Sequence, residues 1–232
     1  MADSSDDLDQ ALRRSDPDRW LSSRFIADPA QRADVVAIYA FDHELNHIAA
    51  TVAEPLAAEI RLTWHREAVE GLFAGKPAPG HPVLAALGAA IPRRNLAFTP
   101  FEAMIEARFQ ALEPGRFETV AALENHIDAT DGAVMALVVA ILGGLDGLAL
   151  RPAAQAWGLA RTDPDRLPEG FEASAAARAA LTDARAAVAR LPVAAFPAVA
   201  HLALLGPYLA RRHPLGLEKR LRMTAAVLSG RI

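Results

Sequence analysis

Apolar residues along this chain recur every three or four positions and rarely alternate, so the pattern predicts helices rather than strands. The clearest case begins at Val35. Val35, Ile38, Phe41, Leu45, Ile48, Ala49 and Val52 keep the 3.6-residue period, and the one charge on that stripe is Asp42. Asp28-Pro29 opens this helix, and Asp16-Pro17 opens a shorter one before it, carrying Trp20, Leu21, Phe25 and Ile26. In both, aspartate suits the N-cap and proline the first turn. Glu54-Pro55 starts a second long helix to about Gly75, with Leu56, Ile60, Trp64, Val69 and Leu72 or Phe73 as its expected buried stripe.

The loop KPAPGHP (76–82) follows from its proline and glycine content. Further helices are expected over 83–91, then from Thr99-Pro100 with Phe101, Met104, Ile105, Phe109 and Leu112. Another runs from Glu118-Thr119 through 128–132 into the apolar run 133–145. Segments 152–161 and 171–190, a proline-punctuated piece to about Arg212, and a last helix from Pro214 complete the series. Residues 1–15 are expected to be a flexible segment, or a frayed helix around Leu8 to Arg13. The sum is about nine helices with short connections, an all-α bundle forming a single domain over 16–232.

Composition agrees. At 232 residues and 52% apolar, with aromatics only 6%, the chain can bury a core packed through small side chains. Cysteine is absent, which removes disulfides, iron–sulfur clusters and thiolate zinc sites and fits a reducing compartment. The acidic start MADSSDDLDQ is unlike a secretory or mitochondrial leader, so a cytoplasmic location is expected. The net charge of −4 argues against nucleic acid as a partner. One region is locally basic. From Tyr208 to Ile232, six cations face Glu218 alone, a net of +5. This allows peripheral contact with an anionic membrane, or simply a solvated helix face.

Two chemical signals fall in the first long helix. His43-Glu44-Leu45-Asn46-His47 fits H-E-x-x-H, in which histidines four apart share a helix face and can hold zinc, with the glutamate as base. A third ligand would be needed, and Glu67 on the next helix is placed to supply it. No strand precedes the motif to bind a substrate edge-on, and such a match also arises by chance.

The second signal is a resemblance. ADVVAIYAFDHELNHIA, EPLAAEIRLTWHREAVEGL, HPVLAALGAAIPRRNL, FEAMIEARF and the stretch Ala129-Thr130-Asp131-Gly132, in this order and spacing, resemble the squalene/phytoene synthase family. The resemblance implies a class I isoprenoid synthase fold, here truncated. Active members join prenyl diphosphates with Mg²⁺ held by two aspartate-rich motifs, because magnesium takes hard oxygen ligands. At the positions matching the first motif, after Tyr39-Ala40-Phe41, both aspartates are replaced, by Asn46 and Ala50. Where the second should stand, the chain passes almost directly from 157–160 to Arg166-Leu167-Pro168. Asp163 and Asp165 lie between, but proline-flanked acids suit a turn better than a metal site.

The residues that remain resemble the aspartate-poor branch of the family, which includes a phytoene-synthase-like assembly factor of respiratory complex I. The resemblance implies a binding or assembly protein with a protein partner, no cofactor, and a location peripheral to the inner membrane. Tyr39, Asp42, Glu44, Arg61, Trp64 and Glu67 are then the candidates to line a groove for an apolar or prenyl ligand. Two alternatives stay open. One is an active prenyl transferase of squalene, phytoene or hopanoid type using Mg²⁺. The other is a zinc hydrolase built on His43, Glu44 and His47.

Overall fold

The computed structural model describes residues 2–51, 54–113, 115–144 and 147–232. Among them the regular elements are all helical. In chain order they are α1 (Ala2–Ser15), α2 (Pro17–Ser23), α3 (Pro29–Thr51), α4 (Pro55–Phe73), α5 (Pro82–Arg94) and α6 (Thr99–Gln110). They continue as α7 (Val120–Ile127), α8 (Ala133–Ile141), α9 (Arg151–Arg161), α10 (Ala173–Val188), α11 (Leu205–Leu209) and α12 (Gly216–Ser229).

The Asp-Pro junctions work as the sequence predicts at α2, where the Asp16 carboxylate accepts from the Arg19 backbone N–H at 3.1 Å. Thr119 caps α7 in the same way, accepting from Ala122. Residues 2–15 differ from the expected flexible segment or frayed helix around Leu8 to Arg13. They form α1, which packs on α3 with Leu12 buried, and Asp9 accepts from the Trp20 indole at 3.0 Å.

Helix α3 is the axis of the bundle, touching α1, α2, α4, α5, α6 and α8. Its apolar stripe Val35, Ile38, Phe41, Leu45 and Ile48 is buried in one continuous core; Val52, and Leu145 of the later apolar run, lie outside the described residues. Behind α3, α9 packs on α10, and α12 lies on the turn Ala200–Leu204 and on α2.

The first half of helix α4 turns the other way from expectation, while Val69 is buried as expected and Leu72 and Phe73 pack on the core. Its buried residues are Ala58, Leu62, His65 and Val69, whereas Leu56 is 67% exposed, Ile60 61% and Trp64 41%. Both sets keep a helical period, so periodicity alone could not choose. The face turned to the core carries Ala58, Leu62 and Val69, all fully buried, with the buried His65 ring 3.6 Å from Glu44 on α3.

The helix expected from Glu118 to about 143 is interrupted by a π-helical turn, Asp128–Gly132, between α7 and α8. Such widened turns gather at functional sites, and this one faces α9. The piece before Arg212 breaks into 3₁₀ turns, Val193–Ala198 and Ala200–Leu204, followed by α11. Pro192, Pro197 and Pro207 fall within or beside these pieces, each removing a backbone donor.

Candidate functional site

Helix α3 carries its polar residues on two sides. Asp42, Asn46, Ala49 and Ala50 share one face, at helical spacing, and open into a cleft of about 370 Å³. His43, Glu44 and His47 share another, toward α1.

An arginine clamp forms the floor of the cleft. Arg19 on α2 is buried and donates through Nη1 to Asp42 Oδ2 at 2.7 Å and through Nη2 to Asp131 of the π-turn. Arg108 on α6, also buried, donates through Nη2 to Asp42 Oδ1 at 2.9 Å. Asp42 therefore spends both oxygens on guanidinium groups. Burial alone would raise its pKa, but Arg108 and Arg19 outweigh it and hold the carboxyl below its ordinary range. Burial works against the Arg19 charge, yet Asp131, Asp42 and Asp16 more than compensate and fix it as a cation. Tyr39 lies beneath this guanidinium, with 5.5 Å between Arg19 Cζ and the ring centre. Its hydroxyl pKa is pushed up by burial.

The walls come from four further segments. Thr130 and Asp131 project from the π-turn, and α9 and the following turn supply Gly158, Arg161, Asp163 and Arg166. Gly158 permits the close approach of α9. A Cβ there would meet Ile127 Cγ2 at 2.5 Å and Asp131 Oδ2 at 3.0 Å. Asp163 accepts from the Asp165 N–H at 2.9 Å and starts the 3₁₀ turn Pro164–Arg166. Asp165 itself does not line the cleft. Phe117 is pinned across the mouth, donating from its N–H to the Arg166 carbonyl at 2.9 Å, with the Arg166 guanidinium over its ring. His126 lines the same wall. Burial first, then Arg108 and Arg166, lowers its pKa to about 4, so the ring is neutral at pH 7.

The cleft is thus a place of surplus donors. Arg166 makes no ion pair among the described residues, and the Nε atoms of Arg108 and Arg166 are buried without hydrogen-bond partners. Buried unpaired N–H groups of this kind are uncommon.

The other side of α3 collects a different group. Glu44 Oε1 lies 3.0 Å from His81 Nε2 and 3.6 Å from His65 Nε2. His65 Nδ1 donates to the Arg61 carbonyl at 2.8 Å. The Trp64 ring meets His65 edge-on, with centroids 4.8 Å apart. The groove expected from Tyr39, Asp42, Glu44, Arg61, Trp64 and Glu67 is therefore not one groove. Only Asp42 lines the cleft, Tyr39 is buried below it, Arg61 and Glu67 are exposed on α4, and Glu44 and Trp64 belong to the histidine group.

The zinc set is likewise not assembled. His43 and His47 stack with ring centroids 6.0 Å apart beside α1, Glu44 turns away to His65 and His81, and Glu67 makes no contact with either motif histidine. Among the described residues, no group of three or more His, Asp or Glu side chains is arranged to hold a metal ion.

Sequence reasoning did not single out Arg19, Arg108, Asp131, Arg161 or Arg166 as site residues, although Arg108, Asp131 and Arg166 stand in stretches quoted for the resemblance. A signal existed for one of them. Arg108 stands at the i+4 and i+7 positions of the buried stripe Phe101, Met104 and Ile105, as Asp42 stands on the stripe of α3. Opposite charges on two buried stripes foretell a pair. Asp131, Arg161 and Arg166 gave no such sign, because their meeting depends on how α9 and the turn after it cross the π-turn.

Comparison with known proteins agrees with this architecture. The squalene/phytoene synthase family model matches residues 12–161. The Mus musculus protein named NADH dehydrogenase (ubiquinone) complex I, assembly factor 6, is 28% identical over 137 residues, which is 59% of this chain and 40% of that protein. Its Homo sapiens counterpart is 28% identical over 135 residues, 58% of this chain and 40% of that one. The chain thus matches about two-fifths of the length of these relatives. Among solved structures, squalene synthase HpnC from Alicyclobacillus acidocaldarius superposes with a TM-score of 0.66 at 20% identity, covering 98% of this chain and 94% of that one. A dehydrosqualene synthase in complex with ligand gives a TM-score of 0.71 at 14% identity, covering 98% and 96%. These likenesses establish the all-α isoprenoid synthase fold.

Proposed function

The chain belongs to the squalene/phytoene synthase family, and we propose that it serves there as a binding or assembly protein rather than as a prenyl transferase. The observation that carries this reading is the state of the carboxylates in the cleft. Asn46 and Ala50 present none, Asp42 and Asp131 are occupied by Arg19 and Arg108, and Asp163 caps its own turn. Magnesium needs several hard oxygen ligands free to converge. This donor set does not fit it, and the neighbouring guanidinium groups would repel a dication.

The same cations favour a ligand with an anionic head, which Arg108, Arg161 and Arg166 could receive, while Ala49, Ala50, Phe117 and Ile127 offer an apolar wall to its tail. The naming of the curated relatives as complex I assembly factor 6 supports a protein partner among the components of that complex, and we place that encounter at the inner face of a membrane, on the cytoplasmic side. Family and fold also leave a working prenyl transferase as the second reading.

Deletion of the gene separates the two. Assembled NADH dehydrogenase, measured by native gel and by NADH oxidation in isolated membranes, should fall in the deletion strain. It should return with the wild-type chain and equally with Asp163→Asn, which removes the one cleft carboxylate not held by arginine. Unchanged assembly in the deletion strain would remove this partner. Rescue by wild type but not by Asp163→Asn would favour catalysis.

A further inference from the structure

Helix α12 is tied down on one side and bare on the other. Met223 and Ala226 are buried against the body of the protein, and Lys219 pairs with Asp18 at 2.6 Å. On the opposite side, Leu217 is 70% exposed, Leu221 63% and Leu228 83%. These three stand at i, i+4 and i+11, which places them on one strip of the helix surface facing directly away from Met223 and Ala226. Leu215, just before the helix, is exposed as well. Isolated exposed leucines need no explanation, but a strip of them on one anchored helix does.

The strip is bordered by cations. Glu218, the only carboxylate of 208–232, is engaged by Arg212 at 2.5 Å and by Arg222 at 2.8 Å. Arg211, Arg220 and Arg231 are exposed and make no ion pair among the described residues. Leucines flanked by unpaired arginines match the layers of an anionic bilayer surface, acyl chains below and phosphates at the rim. A second copy of the chain fits less well. A two-fold contact through this strip would set each arginine rim against its own image. The helix is 14 residues long, about 21 Å, too short to cross the roughly 30 Å hydrocarbon layer. No helix among the described residues is long and apolar enough to do so.

We propose that α12 is an interfacial helix that lays Leu217, Leu221 and Leu228 into an anionic membrane surface, with Arg211, Arg220 and Arg231 on the lipid phosphates. This deepens the membrane location suggested above and is independent of the partner and of the cleft. Vesicle binding with unchanged complex assembly, or the reverse, therefore shows which of the two proposals fails.

The test uses the full chain with vesicles of phosphatidylcholine alone and of phosphatidylcholine with about one-third phosphatidylglycerol, in low and high salt. Binding is expected only to the anionic vesicles and should weaken with salt. The Leu217→Gln, Leu221→Gln, Leu228→Gln triple variant should bind at least tenfold more weakly. The Arg211→Gln, Arg220→Gln, Arg231→Gln variant should lose about fivefold per arginine, or about a hundredfold in all. Both variants should keep the wild-type helical signal and melting temperature, because all six side chains are exposed. Equal binding to neutral and anionic vesicles, no binding at all, or an unaffected leucine variant would overturn the proposal. So would a wild-type dimer in solution that the leucine substitutions convert to monomer, which would assign the strip to a second copy.

Discussion

Replacing Asp42 by asparagine tests the clamp at its centre. The change keeps the side-chain shape and removes the charge that two buried arginines share. The cost does not count twice. Arg19 keeps Asp131 and Asp16, but Arg108, whose side chain is 8% exposed, has Asp42 as its single ion-pair partner among the described residues. One buried guanidinium is left uncompensated, which sets the loss at about 3–5 kcal/mol. That is a large part of the roughly 5–15 kcal/mol that stabilises a folded chain. With a urea m-value of about 3 kcal/mol/M, the midpoint should fall by about 1 M or more at unchanged m. Arg108→Met should cost less, since Asp42 then keeps Arg19. The double variant should recover part of the loss, giving a coupling of about 2 kcal/mol or more. The sign with pH also follows. The Asp42 pKa is depressed on folding, so its contribution is present above the ordinary value of 3.8 and disappears as pH falls below it through the lowered folded value. Wild type and Asp42→Asn should converge in strong acid. A midpoint shift of less than about 0.3 M, or an additive cycle, would refute the clamp.

Three other perturbations have defined outcomes. Leu62→Ala should cost about 2–5 kcal/mol and Ile60→Ala less than about 0.5; the reverse order in urea titrations would return α4 to the face its periodicity first suggested. Gly158→Ala should cost about 1–3 kcal/mol, because its Cβ has no room beside Ile127 and Asp131; a stability equal to wild type would mean α9 can shift freely. His201 is buried, with a pKa lowered to about 3 first by burial and then by Arg19, and both ring nitrogens lack hydrogen-bond partners. The unfolded chain takes up a proton that the folded chain refuses between pH 6.5 and about 3, so this ring makes stability fall with acid, by up to about 1.4 kcal/mol per pH unit. His201→Leu should flatten that slope in pH-dependent urea melts, and an unchanged slope would deny the burial.

Much of this was legible in the chain. The Asp-Pro and Glu-Pro junctions placed the starts of α2, α3 and α4, because the fixed φ of proline acts locally at all three and a capping oxygen at Asp16 and Asp28. The stripe on α3 was legible because Val35, Ile38, Phe41, Leu45 and Ile48 keep the helical period, although Val36, Ala37, Tyr39 and Ala40 between them are buried as well. The face of α4 was legible only from Val69 on, since Leu56, Ile60 and Trp64 compete with Ala58, Leu62 and His65 at the same period, and only the packing against α3 and α6 decides between them. In the cleft, Asn46 and Ala50 were named from the resemblance alone, and both line it. The clamp was half readable, through Asp42 and Arg108 at buried registers. The contributions of Arg19, Asp131, Arg161 and Arg166 were not, because Arg19 meets Asp131 across 112 residues of sequence and the two later arginines depend on how α9 crosses the π-turn.

The most direct measurement of the central claim is pyrophosphate release by the purified chain supplied with farnesyl or geranylgeranyl diphosphate, Mg²⁺ and NADPH. With Asn46 and Ala50 in place of carboxylates and Asp42 held by two arginines, no release above the protein-free rate is expected. Sustained release, abolished by chelating the magnesium, would contradict the account and restore this chain to the working synthases of its family.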